Sequence, residues 1–427
     1  MIASAGADVP AVFTGEMMRV AGIISEFNPF HKGHQYLIDA VRQDLKPDGI
    51  ITVMSGNFVQ RGEPAMWDKW TRAACAVENG VDLVLELPVC FAVNSGEEFA
   101  RGGIGILQGT GIVTDLAFGS ESGLRSDLEC AARSLSEENE AFSAALRIAL
   151  DQGRSYPAAY EQAALTHPEF QTTERQGMLS ASNDILALEY IKQMHRSEAN
   201  FNIFPVKRIG PGHDQEGADP GYASASSIRR SIFVGSSGEE WTRFLPSPTA
   251  ELLADQRPFG PEDQSRYASL LRYVLLMRSN RELADLISVG EGLENRLKQA
   301  VITGLSVDEM ILDIKTKRYT YARIARILVQ ALLNLDKQRY AAIRDNGAFY
   351  GRVLGFSPQG AQLLRKIRKA NTHMPIYTNL KQTEGTEGPI RDALAWDALA
   401  SDIYSILRGT AVYQGSDKVR KPYISKT

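Results

Sequence analysis

The sequence predicts an α/β fold, with a parallel sheet covered by helices in the first half and a mainly helical C-terminal domain after it. Three observations predict this. Short apolar runs alternate with helical patterns through residues 20–207, and such alternation builds parallel sheets with helices on both faces. The punctuation changes near Gly235-Ser236-Ser237-Gly238, with Pro246, Pro248, Pro258 and Pro261 close behind. Beyond that point apolar residues recur at spacings of three and four, the period of helices. The expected organisation is a disordered extension at 1–18, a Rossmann-like domain at 19–235 and a helical, partly basic domain at 236–427.

The elements follow in order. Residues 20–24 (VAGII) are β-branched or small without polar alternation, which suits a buried strand. Asn28-Pro29 forces a turn. From Gly33 onward Tyr36, Leu37, Ala40, Val41 and Leu45 recur at helical spacing. Residues 49–55 (GIITVMS) read as a second strand, 67–79 as a helix, and 81–87 (VDLVLEL) as a third strand ended by Pro88. A helix at 97–109 precedes a fourth strand at 113–118 (VTDLAF), and Gly119-Ser120-Glu121 follow it. Residues 124–152 carry a largely helical pattern, 185–194 another, and 203–207 a fifth strand. Past the boundary, helices are expected at 267–277, 292–301, 321–335 and 360–370. In folds of this type ligands bind at the carboxyl ends of the strands.

Composition narrows the function classes. Hydrophobic residues make up 44% and charged residues 23% of the 427, ordinary values for a globular chain with room for two cores. No apolar run approaches the roughly 18–20 residues that a spanning helix needs. Cys75, Cys90 and Cys130 show no CxxC spacing, so reduced structural thiols in the cytosol are the simplest reading. Residues 1–16 have no basic n-region and do not read as a signal peptide, and Met17 or Met18 could be the natural start. The formal charge of −4 hides an asymmetry, because residues 311–370 hold 13 Lys or Arg against 3 Asp or Glu. That block carries +10 and the rest of the chain −14, which suggests a polyanionic partner for one region.

The most informative stretch is GIISEFNPFHKGH, residues 22–34. Strand, loop and helix N-terminus together form an anion site, where backbone N–H groups and the helix dipole favour phosphate. His31 and His34 could donate to that phosphate, bind metal or cap the helix, and Gly33 would let backbone approach the ligand. The loop 56–64 (GNFVQRGEP), at the end of the second strand, is either substrate contact or an ordinary connection. Gly119 could leave room for a ligand, and Ser182-Asn183-Asp184 is an N-cap or a ribose or base contact. Arg208 closes the fifth strand, and Ser224-Ala225-Ser226-Ser227-Ile228-Arg229 forms either a second phosphate-binding set or a plain cap. Lys315, Lys317, Arg318, Arg323 and Arg326 interleave with Tyr319 and Tyr321, and Arg365, Lys366, Arg368 and Lys369 follow. Such interleaving suits RNA backbone and splayed bases, or a solvated helix face.

Together these motifs resemble the HxGH nucleotidyltransferase superfamily, with SASSIR similar to its second signature. More narrowly the chain resembles the bacterial tRNA(Met) cytidine acetate ligases through GIISEFNPFHKGH, MSGNFVQRGEPA, DLVLELP, FGSE, ASNDILALEYIK, VKRIG, SASSIR and KTKRYTYARIARIL. The resemblance implies an enzyme that forms acetyl-adenylate from acetate and ATP, then acetylates N4 of the wobble cytidine of elongator tRNA(Met). By position it implies an ATP loop of Ile24, Ser25, Glu26, Phe27, Asn28, Pro29, Phe30, His31, Lys32, Gly33, His34, Gln35, Tyr36 and Leu37. Gly119, Asn183, Arg208 and Ile209 match further nucleotide contacts, and the basic helical domain would hold the tRNA.

The implied chemistry needs no protein nucleophile, only positioning and a positive field from His31, His34, Arg208 and Arg229. Mg²⁺ would travel with ATP, and no carboxylate cluster demands a protein-bound metal. Departures from the family pattern are Ser182-Asn183-Asp184, where Pro-Asn-Asn is usual, and IGPGHDQE after Arg208. Two other readings stay open: a nucleotidyltransferase making a small cofactor, and a non-catalytic RNA-binding protein.

Overall fold

The computed structural model describes residues 18–136, 139–209, 221–235, 238–290, 292–303, 306–370 and 372–426. The expected extension at 1–18 lies outside them except for Met18, and so does most of the IGPGHDQE segment. An eight-stranded sheet organises the chain. Its strands are β1 (Val20–Ser25), β2 (Gly49–Ser55), β5 (Leu83–Leu87), β6 (Asp115–Ser120), β7 (Asn202–Lys207), β8 (Gly351–Phe356), β9 (Ile376–Tyr377) and β10 (Tyr423–Ile424). A separate two-stranded hairpin pairs β3 (Phe58–Val59) with β4 (Glu63–Pro64). The five expected strands are all present, within two residues of their expected bounds at each end.

The sheet order is β10-β8-β5-β2-β1-β6-β7, with β9 beside β8. The run β5-β2-β1-β6-β7 is parallel throughout. All residues of β2 and β5 are buried, the result of cover on both faces. From β1 the chain first winds outward through β2 and β5, then crosses back to β6 and β7. The order therefore reverses between β1 and β6, and the crevice at their carboxyl ends is where such sheets hold ligands.

The helices used below are α1 (Lys32–Ala40), α2 (Lys69–Glu78), α3 (Gly96–Gly109), α4 (Ser182–Arg196), α5 (Ala225–Phe233), α6 (Pro261–Met277), α7 (Tyr321–Leu333), α8 (Pro358–Lys369) and α9 (Gly388–Leu407). Local chemistry starts several of them. Asp68 caps α2 through Thr71 N–H, Ser95 caps α3 through Glu98 N–H, and Thr320 caps α7 through Arg323 N–H. The expected helical pattern at 124–152 is two helices, Arg125–Ser136 and Glu140–Asp151, the second capped by Asn139.

Residues beyond 350 do more than form helices, because they return β8, β9 and β10 to the sheet. β8 runs antiparallel to β5, pairing Leu83 with Phe356 and Leu85 with Val353. A buried ionic cluster fastens the same junction. Lys69 Nζ lies 2.6 and 2.8 Å from the two carboxylate oxygens of Glu86 and 2.7 Å from Asp417. Burial pushes the Lys69 pKa down, but Asp417 and Glu86 outweigh it and hold the ammonium charged. Asp397 of α9 accepts from Val89 N–H at 2.7 Å and from the Tyr350 hydroxyl, and burial pushes its pKa up to about 8.

Candidate nucleotide-binding site

β1 delivers Ile24 and Ser25 to the crevice, and the loop 26–30 turns the chain into α1. Phe27 adopts a left-handed φ of +45° and is buried against Phe30, with ring centroids 4.8 Å apart. An aromatic residue rarely takes that conformation without a packed environment to hold it. Asn28 ties the loop to its neighbours, since its Oδ1 accepts from Met66 N–H at 2.8 Å and its carbonyl accepts from Arg229 Nη1 at 3.0 Å. The buried guanidinium of Arg72 donates to the carbonyls of Glu26, Ser55 and Gly56, so one side chain joins the ends of β1 and β2. Ser25 Oγ, Asn28 Nδ2 and Ser226 Oγ are buried without a partner among the described residues.

His31 is the N-cap of α1. Its Nδ1 accepts from Gly33 N–H at 3.0 Å, while His34 Nδ1 accepts from His31 N–H at 3.3 Å. The two rings stack with centroids 3.8 Å apart. Burial, with Arg208 and Arg229 nearby, lowers the His31 pKa to about 3. Burial, His31 and Arg208 lower that of His34 well below its usual value. Both imidazoles are therefore neutral at physiological pH. Each Nδ1 faces a backbone N–H and cannot carry a proton, so the proton sits on Nε2. The pair presents two neutral N–H donors beside two guanidinium groups.

The helix start departs from the expectation in one respect. Its first-turn amides are already committed: Lys32 N–H donates to Phe244 O at 2.9 Å, Gly33 N–H to His31 Nδ1, and His34 N–H to His31 O at 2.8 Å. The donors left to meet an anion here would be the imidazoles and arginines, with the helix dipole behind them. Gly33 also serves a different end from backbone approach. A Cβ there would lie 2.9 Å from His31 Cε1, so glycine makes room for the capping ring. Lys32, Gln35, Tyr36 and Leu37 continue the half-buried helix face, with Gln35 Nε2 donating to Asp39 at 2.8 Å.

The opposite wall is built by β6, α4 and β7. Glu121 accepts from Asn183 Nδ2 at 2.6 Å and from Asn183 N–H and Asp184 N–H at 3.1 and 3.0 Å. Asp184 in return accepts from Ser120 Oγ and from the N–H groups of Glu121 and Ser122. The expected cap at Ser182-Asn183-Asp184 thus comes from Glu121, and α4 starts three residues earlier than its apolar pattern. Arg208 Nη1 lies 3.8 Å from Glu121, and a Cβ on Gly119 would touch only Arg208, at 3.5 Å. Ile209 lies exposed at the edge of the described chain. On α5, Ser224 Oγ accepts from Ser227 N–H at 3.1 Å, and Arg229 Nη2 pairs with Glu63 of β4 at 3.0 Å.

The hairpin β3–β4 joins this site to the basic region. Gln60 N–H donates to Glu26 Oε1 at 2.7 Å, and Gln60 O accepts from Arg326 Nη1 at 3.2 Å. Arg326 therefore packs inward, its pKa lowered to about 10 by burial and by Arg323. Lys315, Lys317 and Arg318 are exposed just ahead of α7, and Arg323 stacks on the Tyr319 ring at 5.0 Å. Arg365, Lys366, Arg368 and Lys369 are also exposed, but α8 is packed at the amino ends of the strands. Its Gln359 Nε2 donates to Asp48 O at 2.6 Å, and Leu363 lies against Gly49 at the start of β2. The structure does not bring that second cluster to the crevice. Arg72, Gln60 and the Glu63–Arg229 pair carried no local signal beyond the GNFVQRGEP loop itself. Among the described residues no helix is long and apolar enough to cross a membrane.

Comparison with known proteins identifies the family. The family model described as HIGH Nucleotidyl Transferase matches residues 18–418. A tRNA(Met) cytidine acetate ligase of Clostridium novyi is 35% identical over 410 residues, covering 95% of this chain and 100% of that protein. One from Thermoanaerobacter sp. is 37% identical over 403 residues, covering 94% and 98%. The crystal structure of apo Thermotoga maritima TmcAL superposes with a TM-score of 0.88 at 32% identity, covering 96% of this chain and 100% of that one. The same protein bound with alpha-thio ATP gives a TM-score of 0.86 at 32% identity, covering 95% and 99%.

Proposed function

The chain belongs to the tRNA(Met) cytidine acetate ligase family of HIGH nucleotidyltransferases, and we propose that it activates acetate with ATP and acetylates N4 of the wobble cytidine of elongator tRNA(Met). The observation that carries the ATP half is the stacked pair His31 and His34, locked by backbone N–H groups as neutral Nε2–H donors beside Arg208 and Arg229. Acetate oxygen attacks the α-phosphorus, a P–O bond forms, and pyrophosphate departs with the electrons of the broken bond. Charge gathers on the phosphoryl oxygens during this step. Fixed donors aimed at that charge stabilise it without needing to reorganise. ATP enters as its Mg²⁺ complex.

The tRNA half rests on the exposed Lys315, Lys317 and Arg318 with Arg323 on Tyr319, next to a hairpin that touches the ATP loop. A cytidine in a single-stranded anticodon loop can unstack at small cost and reach such a crevice. This activity places the protein in the cytoplasm, where tRNA and ATP are found. The test combines protein, ATP, labelled acetate and an unmodified elongator tRNA(Met) transcript, with a transcript whose wobble cytidine is replaced as control. Label in the RNA that requires both ATP and the cytidine supports the reading. Absence of label, with ATP turned over on a small substrate, refutes it in favour of a cofactor-forming nucleotidyltransferase.

A further inference from the structure

Acetyl transfer has to dispose of a proton. When N4 of cytidine attacks the acetyl carbonyl carbon, a C–N bond forms and the bond from that carbon to the adenylate oxygen breaks. AMP leaves with the bonding electrons, and one of the two N4 protons must pass to a base. The histidines cannot take it. Each Nε2 already bears a proton, and each Nδ1 accepts from a backbone N–H.

Among the described residues the carboxylates around the crevice are few, and most have other duties. Glu121 caps α4, Asp184 holds the turn 120–122, and Glu63 pairs with Arg229. Glu26 is different, because among the described residues its carboxylate hydrogen-bonds to a single backbone N–H, that of Gln60. It stands one residue past β1, half-buried, between the ATP loop and the hairpin that leads to the basic region. Its Oε1 accepts from Gln60 N–H at 2.7 Å. Arg229 of α5, Arg61 and Glu63 of the hairpin, and Tyr190 of α4 face it electrostatically, and Arg72 of α2 holds its carbonyl.

We propose that Glu26 is the general base of acetyl transfer, accepting the proton that N4 releases as AMP departs. The assignment rests on the acetate-ligase reading above. Burial raises the Glu26 pKa, Gln60 N–H, Arg229 and Arg61 pull it down, and Glu63 raises it again, with the net shift upward. A carboxylate above its ordinary range is a better proton acceptor near neutral pH. Transfer should then accelerate as rising pH ionises Glu26.

Glu26→Gln keeps an oxygen for Gln60 N–H, which separates the proton transfer from the loop's shape. Two half-reactions are measured on the full chain: acetate-dependent ATP–pyrophosphate exchange, and single-turnover transfer from enzyme-bound acetyl-adenylate to the tRNA transcript. The expected result is a transfer rate lower by about 10²–10⁴-fold, a far larger loss than in exchange. The rising limb of the transfer pH profile should vanish in Glu26→Gln and return in Glu26→Asp. Equal losses in both half-reactions, or transfer that survives in Glu26→Gln, would overturn the proposal. Wild-type protein without acetate-dependent exchange would instead overturn the reading beneath it.

Discussion

At the scale of single residues, two histidines three apart could be ligands, caps or donors, and the structure makes them a capping box that leaves each Nε2–H free of the cap, so that under the proposed function they serve as donors too. That dual use has a measurable signature. His34→Ala removes a donor from the phosphate site and the acceptor for His31 N–H, so adenylate formation should fall by about 10²–10³-fold. tRNA binding, measured by filter retention, should persist, and a normal exchange rate would refute the donor role. pH separates the cap from the chemistry. In the folded chain His31 stays neutral down to about 3, whereas in the unfolded chain it takes a proton near 6.5. Below pH 6.5 the unfolded state binds more protons, so stability is lost as pH falls through that window. Between pH 7 and pH 5 the expected contribution is about 2 kcal/mol. His31→Asn keeps a capping oxygen but cannot titrate, and its urea-unfolding curves should show correspondingly less loss of stability over that range.

At the scale of elements, legibility followed the range of the interactions. The unit β1–loop–α1 was readable because every signal in it is local: a β-branched run, a Pro turn, helical periodicity. The apolar pattern of α4 begins three residues inside the helix because its cap is Glu121, more than sixty positions upstream. β8 left no local trace, since GRVLGF is short and glycine-flanked, with Arg352 buried inside it. Its partner β5 lies more than 250 residues away, and pairing over such separations is decided by packing rather than propensity. The hairpin β3–β4 has the sequence of a loop, yet it couples the ATP loop to α7. Gly62 sits at its tip with φ +83°, where a Cβ would lie 2.2 Å from Arg326 N and 2.4 Å from Ala325 C. Gly62→Ala should therefore cost about 2 kcal/mol in chemical unfolding. It should also lower acetyl transfer more than exchange, because the hairpin carries Gln60 to Glu26. Unchanged stability would mean that α7 yields to the methyl group.

At the scale of the whole molecule, composition pointed to one basic block, and the fold divides it in two. Lys315, Lys317 and Arg318 precede α7, whose Arg326 reaches the hairpin beside the ATP loop. Arg365, Lys366, Arg368 and Lys369 ride on α8 at the other end of the sheet, against Gly49 and the carbonyl of Asp48. A strand of six or seven residues separates the two ends by roughly 20 Å. An anticodon loop that delivers cytidine to an adenylate at the carboxyl ends can lie against the first cluster. Reaching the second would take a further part of the RNA, about a strand's length away. The two clusters should therefore differ under charge reversal. Lys317→Glu with Arg318→Glu should raise the KM for tRNA and flatten the salt dependence of binding by about one per lost phosphate contact. Exchange measured without tRNA should be far less affected. Arg365→Glu with Arg368→Glu should change the salt slope less and leave the rate of transfer from bound tRNA closer to wild type. If the α8 pair proves equally damaging, the tRNA body must wrap past the sheet to reach its amino ends, and the bound RNA would span the molecule from end to end.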